Sequence, residues 1–159
     1  MVNYVKGNLL DSDCDYICHQ VNCQGVMGSG IARQIRERWP EVYKGYLRYC
    51  DQHGRNTIEL LGDVLGVCVN INMHDKWVVN MFAQGWYGYD GSRFTSYDAF
   101  SECLTAIRER VPRDKTIGFP KNIGCGLGGG NWKVISALIE EILGSTHDVY
   151  IYEYDPEVK

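Results

Sequence analysis

Two short stretches of this chain concentrate residue types that can hold an anion without a charged side chain. The first reads Cys18-His19-Gln20-Val21-Asn22-Cys23-Gln24-Gly25-Val26-Met27-Gly28-Ser29-Gly30-Ile31. A β-branched, apolar run ends at Asn22, glycines follow, and a helical pattern opens at Gly30. Glycine reaches positive φ and lets main chain approach a ligand closely. A helix start adds unpaired N–H groups and the positive end of its dipole. The second stretch, Ile123 to Trp132, packs five glycines into seven residues (Gly124, Gly126, Gly128, Gly129, Gly130). Either stretch alone could be a plain strand-to-helix connection. Two of them in one chain point to a shared cradle for a phosphate-bearing nucleotide.

Known phosphate motifs fit poorly. A dinucleotide fingerprint at the first stretch would need its third glycine where Arg33 stands, and no Lys-Ser/Thr follows to make a P-loop. The second stretch contains G-x-G-x-x-G from Gly124 to Gly129. It lacks the acidic residue about 20 positions on that a dinucleotide site requires, and it comes late in the chain.

The elements that must position these loops follow from periodicity. Strands are expected at Val2–Val5, Tyr16–Val21, Val64–Ile71, Trp77–Phe82, Thr116–Phe119 and Asp148–Tyr154. A helix opening at Gly30 carries Ile31, Ile35 and Trp39, and Pro40 ends it. A second presents Val42, Tyr46, Leu47 and Cys50 on one face. The clearest helix runs from Ser96, its N-cap, through Phe100, Leu104, Ile107 and Val111. The last spans Trp132–Leu143. This order implies an α/β fold, with a mixed sheet covered by helices on both faces. Ligands of such folds sit beyond the carboxyl ends of the strands, where both glycine stretches fall.

Length and composition agree with one domain over residues 1–159, large enough to fold without disulfides or metal. The formal charge of -4 removes the broad basic face of non-specific nucleic-acid binders. No apolar run approaches a membrane span, and the N-terminus is too short and polar for a signal peptide. Seven cysteines, with no C-x-x-C pair, read as reduced thiols of a cytoplasmic protein. His53, His74 and His147 show no metal spacing, so neither metal nor cofactor is expected. His19, on a buried strand, reads as a core histidine, and Cys125 as a small loop residue rather than a thiolate nucleophile.

Together, Gly7-Asn8-Leu9-Leu10 after the first strand, the Val21–Ala32 stretch, Asn122–Trp132 and the element order resemble the macro domain. The likeness is greatest to the branch of terminal ADP-ribose–protein hydrolases and DNA ADP-ribosylation antitoxins, and it covers nearly the whole chain. It implies a three-layer α/β/α sandwich holding ADP-ribose in a cleft. By that likeness Asn8 contacts adenine, and Asn22 with Gly28, Ser29, Gly30 and Ile31 faces the distal ribose and phosphate; Leu9 and Val21 are ligand-binding candidates beside them. Gly124, Cys125, Gly126, Leu127, Gly128 and Gly129 wrap the pyrophosphate, while Gln84 and Tyr87 complete the wall. Phe82, Trp86 and Tyr89 are further aromatic candidates for the distal end.

This chain departs from the pattern at three places. Asn8 stands where many macro domains carry aspartate, and its amide oxygen can still accept from adenine. Gln84 stands where the nearest branch has a lysine, and Gly128 where it has an aspartate, so a lysine-adduct mechanism does not carry over. The resemblance then implies a monomeric hydrolase that releases ADP-ribose from a modified macromolecule. Asn22 would orient the distal ribose, and water would attack C1″ with help from the pyrophosphate or Asp90. A non-catalytic ADP-ribose reader and an ADP-ribose 1″-phosphate phosphatase are the alternatives.

Overall fold

The computed structural model describes residues 1–55 and 57–158. Six strands and four helices follow in the order β1 (Val2–Lys6), β2 (Tyr16–Asn22), α1 (Gly30–Arg38), α2 (Pro40–Gln52), β3 (Val64–Ile71), β4 (His74–Gln84), α3 (Tyr97–Arg110), β5 (Thr116–Pro120), α4 (Trp132–Leu143) and β6 (Asp148–Glu153). A short 3-10 turn, Leu9–Asp11, lies between β1 and β2.

The strands form one sheet in the order β1-β6-β5-β2-β4-β3, parallel except for β3, which pairs antiparallel with β4. The β3–β4 hairpin turns through Asn72 and Met73, both at positive φ (50° and 68°). β4 starts three residues earlier than the apolar run suggests. His74, Asp75 and Lys76 are polar, yet they pair across the hairpin with Ile71, Asn70 and Val69.

Alternation along the strands divides the core. From β2 and β4, Ile17, Val21, Val78 and Phe82 face Ile35, Val42, Tyr46 and Cys50 of α1 and α2. Cys18, Val79, Met81 and Ala83 face Phe100, Leu104 and Ile107 of α3 and Ile135 and Ile139 of α4. The result is the three-layer sandwich with a mixed sheet. The helix ends follow local rules. Pro40 closes α1 by opening α2 at its first position, and Ser96 caps α3 by accepting from the Ala99 N–H at 3.2 Å. Among the described residues no helix is long and apolar enough to cross a membrane.

The connections decide where a crevice opens. β2 is followed by α1 and α2 on one face, and its neighbour β5 is followed by α4 on the other. Two adjacent parallel strands whose helices leave in opposite directions part at their carboxyl ends. At the same end the β2–β4 ladder carries a bulge, because Val21 pairs with Phe82 but Asn22 with Gln84, leaving Ala83 as the extra residue.

One polar pair is buried in the sheet. His19 Nε2 lies 2.6 Å from Asn80 Oδ1, and Asn80 Nδ2 donates to the Leu65 carbonyl at 3.0 Å. Asn80 Oδ1 is therefore an acceptor and His19 carries its proton on Nε2. Complete burial pushes the imidazole pKa down to about 4 from its usual 6.5, although the Asn80 bond partly opposes this. Between those values the unfolded chain binds a second imidazole proton and the folded chain does not, so stability is complete above about pH 6.5 and falls as pH drops toward 4. Urea unfolding should show a loss of about 2 kcal/mol from this group between pH 7 and pH 5. His19→Gln, which keeps a donor for Asn80, should flatten that slope.

Candidate functional site

The crevice at the ends of β2, β4 and β5 is a cleft of about 340 Å³. Its wall includes Val21, Asn22, Gly28, Ser29, Gly30, Ile31, Gln84, Tyr87, Gly124, Gly126, Leu127 and Gly128. The structure thus brings the two glycine stretches and the β4–α3 loop to one opening. Both glycine stretches leave amides unspent. Among the described residues, the backbone N–H groups of Gly30, Ile31, Gly126, Leu127 and Gly128 find no hydrogen-bond partner. Those of Gly30 and Ile31 belong to the first turn of α1, where the helix dipole adds positive potential.

Each loop is held by bonds that leave those amides free. In the first, Asn22 is buried and its amide faces partly inward. Oδ1 accepts from the Gln24 N–H at 2.9 Å and lies 2.8 Å from the Tyr46 hydroxyl, while Nδ2 donates to the Val26 carbonyl at 2.8 Å. In the second, Phe94 N–H and Thr95 N–H both donate to the Gly128 carbonyl (2.8 and 2.9 Å), and Gly130 N–H donates to the Gly124 carbonyl at 2.8 Å. Thr95 Oγ1 donates to the same Gly124 carbonyl at 2.7 Å.

A chain of amides joins that anchor to the centre of the sheet. Gln84 Nε2 donates to the Trp86 carbonyl (2.9 Å), and Gln84 Oε1 accepts from Gln20 Nε2 (2.8 Å). Gln20 Nε2 also donates to Thr95 Oγ1 (2.8 Å). The direction of each bond follows from the next, so all three side chains are oriented. Gln20 Oε1 is buried beneath Gly124 with no partner among the described residues.

The remaining expected residues lie elsewhere. Asn8 caps the 3-10 turn by accepting from the Leu10 N–H at 3.0 Å, and Leu9 is buried in the α1/α2 core. Neither is part of the cleft wall. Cys125 packs toward the α3/α4 core, and burial raises its thiol pKa, the opposite of an activated nucleophile. Gly129 donates to the Gly126 carbonyl and faces the backbone of Ser92 and Arg93. Asp90 sits in the β4–α3 loop outside the wall. Its carboxylate accepts from the Ser92 N–H at 2.9 Å, which lowers its pKa and weakens it as a base. Phe82 is core, whereas Tyr89 lines the cleft.

Sequence reasoning missed Gln20, Thr95, Lys121 and Asn122. Gln20, Lys121 and Asn122 line the cleft, and Thr95 anchors it. The available signal for Gln20 was a polar side chain near the carboxyl end of β2, two residues before Asn22. Among the described wall residues there is no Asp, Glu, His or Cys, and the one cation is Lys121, whose Nζ stands 3.6 Å from Glu153 Oε2. The site is thus an amide-rich cleft with one cation and no carboxylate among its described wall residues. Among the described residues no cluster of His, Cys, Asp or Glu could hold a metal ion.

Comparison with known proteins places this geometry. The model of the family described as Macro domain matches residues 18–139. A "DNA ADP-ribosyl glycohydrolase" of Thermus aquaticus is 24% identical over 98% of this chain and 41% of its own length. An "ADP-ribose 1''-phosphate phosphatase" of Saccharomyces cerevisiae is 37% identical over 77 residues, 47% of this chain and 40% of that protein. The solved structure "Thermosipho africanus DarTG in complex with ADP-ribose" superposes with a TM-score of 0.78 at 20% identity, over 99% of this chain and 43% of that one. That last likeness is one of fold. The chain spans about two fifths of the length of these relatives.

The glycines of the second stretch differ in what they tolerate. A Cβ at Gly126 would meet nothing within 4 Å, whereas one at Gly128 would press on Thr95 Oγ1 at 2.6 Å and the Gly124 carbonyl at 2.7 Å. Gly126→Glu should therefore melt within about 2 °C of the parent. Gly128→Ala should lose about 2 kcal/mol, or roughly 4–8 °C in Tm. Scanning calorimetry on the two variants checks the contrast.

Proposed function

This chain belongs to the macro domain family, and from that premise we propose that its cleft binds ADP-ribose and that it hydrolyses ADP-ribose from a modified target. The observation that carries the reading is the meeting of two sets of unspent N–H groups across one cleft with no carboxylate in its wall. A pyrophosphate is the ligand such an arrangement suits, because every free donor finds an oxygen and no negative side chain opposes it.

Gly28–Ile31 and Gly124–Gly128 then take the phosphates, Tyr87 walls the distal end, and Asn22 orients the distal ribose. In the reaction a water oxygen bonds to C1″ as the bond from C1″ to the target breaks, and the leaving group takes a proton. Asp90 does not line the cleft, so we assign to a pyrophosphate oxygen of the bound substrate the relay that takes the proton from the attacking water and passes it to the leaving group. Asp90→Asn should accordingly keep turnover within about threefold of the parent, and a loss beyond about 100-fold, the scale of a general base, would return that role to the carboxylate.

A second reading is a phosphatase acting on ADP-ribose 1″-phosphate. It is favoured by the segment shared with the yeast relative of that name, and it uses the same cradle. Products separate the readings when the protein is given ADP-ribosylated protein, ADP-ribosylated DNA and ADP-ribose 1″-phosphate. A glycohydrolase releases free ADP-ribose, a phosphatase releases inorganic phosphate, and a reader releases neither.

Binding has its own test. Titration calorimetry should rank ADP-ribose above AMP and NAD, since both loops engage only when adenosine, pyrophosphate and an uncrowded distal ribose are present. Gly126→Glu should abolish that binding, because its side chain would enter the phosphate position and repel the ligand. Equal affinity for AMP would dismiss the two-loop cradle.

A further inference from the structure

The hydroxyl of Tyr46 is fully buried in the middle of α2, and a buried hydroxyl left unpaired is destabilising. It is not left unpaired. Its oxygen lies 2.7 Å from the Asn22 carbonyl and 2.8 Å from Asn22 Oδ1, and it accepts from the Gly25 and Val26 N–H groups, each at 3.1 Å. One phenol from the opposite side of the core thus closes the turn from Asn22 to Val26, in which Gly25 takes φ +80°. Its ring is held in turn, tilted against Phe82 with centroids 5.7 Å apart.

These bonds also fix which end of the Asn22 amide reaches the cleft. Oδ1 faces the Tyr46 hydroxyl and the Gln24 N–H, and Nδ2 gives one hydrogen to the Val26 carbonyl. Flipping the amide would set its NH2 against the Gln24 N–H, donor against donor. What remains for the cleft is the second Nδ2 hydrogen, a donor and not an acceptor. We propose that Tyr46 is a positioning residue that acts through Asn22, locking its amide so that Asn22 presents only an N–H donor to an oxygen of the bound ligand. The inference rests on the reading that the cleft takes ADP-ribose.

The test is a double-mutant cycle on ADP-ribose affinity, with the whole chain and calorimetry as the readout. Tyr46→Phe keeps the ring and removes only the hydroxyl. It should weaken ADP-ribose binding about fivefold in the parent, the worth of one lost hydrogen bond, and have almost no effect in an Asn22→Ala background. Equal losses in both backgrounds would mean that the hydroxyl only supports the fold, and would overturn the proposal. Failure of the parent protein to bind ADP-ribose would instead overturn the reading of the cleft, and this inference with it.

A second measurement does not depend on the variant folding. In NMR spectra of the parent, the two side-chain amide protons of Asn22 should be distinct, one already bonded and one shifting on addition of ADP-ribose. An Asn22 amide whose resonances stay unmoved at saturating ADP-ribose would refute the donor role.

Discussion

A backbone N–H group that is to hold an anion must be left without an internal partner and still be fixed in space. These demands conflict, because buried amides are satisfied almost everywhere in folded proteins, and the usual way to fix a loop is to bond its amides. The structure resolves the conflict by holding each loop through neighbouring amides, carbonyls and side chains rather than through the amides at the cleft. In the second stretch the carbonyls of Gly124 and Gly128 accept from Gly130, Thr95 and Phe94, which leaves the N–H groups of Gly126, Leu127 and Gly128 facing the cleft. In the first stretch a tyrosine hydroxyl and an asparagine amide hold the turn, and the opening of α1 supplies amides that no helix can satisfy internally.

The same constraint explains why glycine stands where it does. Gly124 runs at φ +74°, and a Cβ there would press on Gln20 Oε1 at 2.7 Å. Gly128 is enclosed by Thr95 and the Gly124 carbonyl. These residues are excluded from having side chains by the anchors, not by the cleft. Gly126 is the opposite case, open on its Cβ side and free only because the cleft is empty of protein there. One short loop therefore contains glycines required by packing and a glycine whose side-chain position opens into the cleft.

Charge is arranged with equal economy. With no carboxylate in its described wall and one loosely paired lysine, the cleft presents oriented backbone dipoles within a molecule of formal net charge -4. Dipoles aimed at a point act over a few ångströms, so such a site suits a compact diphosphate better than an extended polyanion. The uncharged side-chain relay Gln84–Gln20–Thr95 ties the β4–α3 loop to the second glycine stretch without introducing a formal charge.

Much of this was legible in the residues themselves. Local rules govern a strand ending at Asn22, a helix opening at Gly30, an N-cap at Ser96 and glycine-dense turns, because φ/ψ freedom, side-chain periodicity and capping are properties of neighbours in the chain. The α/β class and the convergence of the two glycine stretches followed from the element order. Other features joined residues distant in sequence, and only the tertiary structure could decide them. The bulge that skips Ala83 and pairs Asn22 with Gln84 depends on sheet register. The burial of Leu9 and the capping role of Asn8 depend on packing of the 3-10 turn against the α1/α2 core. Tyr46 reads along the chain as one apolar position on a helix face, and its hydroxyl acquires meaning only when α2 brings it to Asn22, 24 residues earlier. Periodicity tells which side of an element is buried, whereas the partner of a buried polar atom is set by how the layers stack, and that is a property of the folded whole.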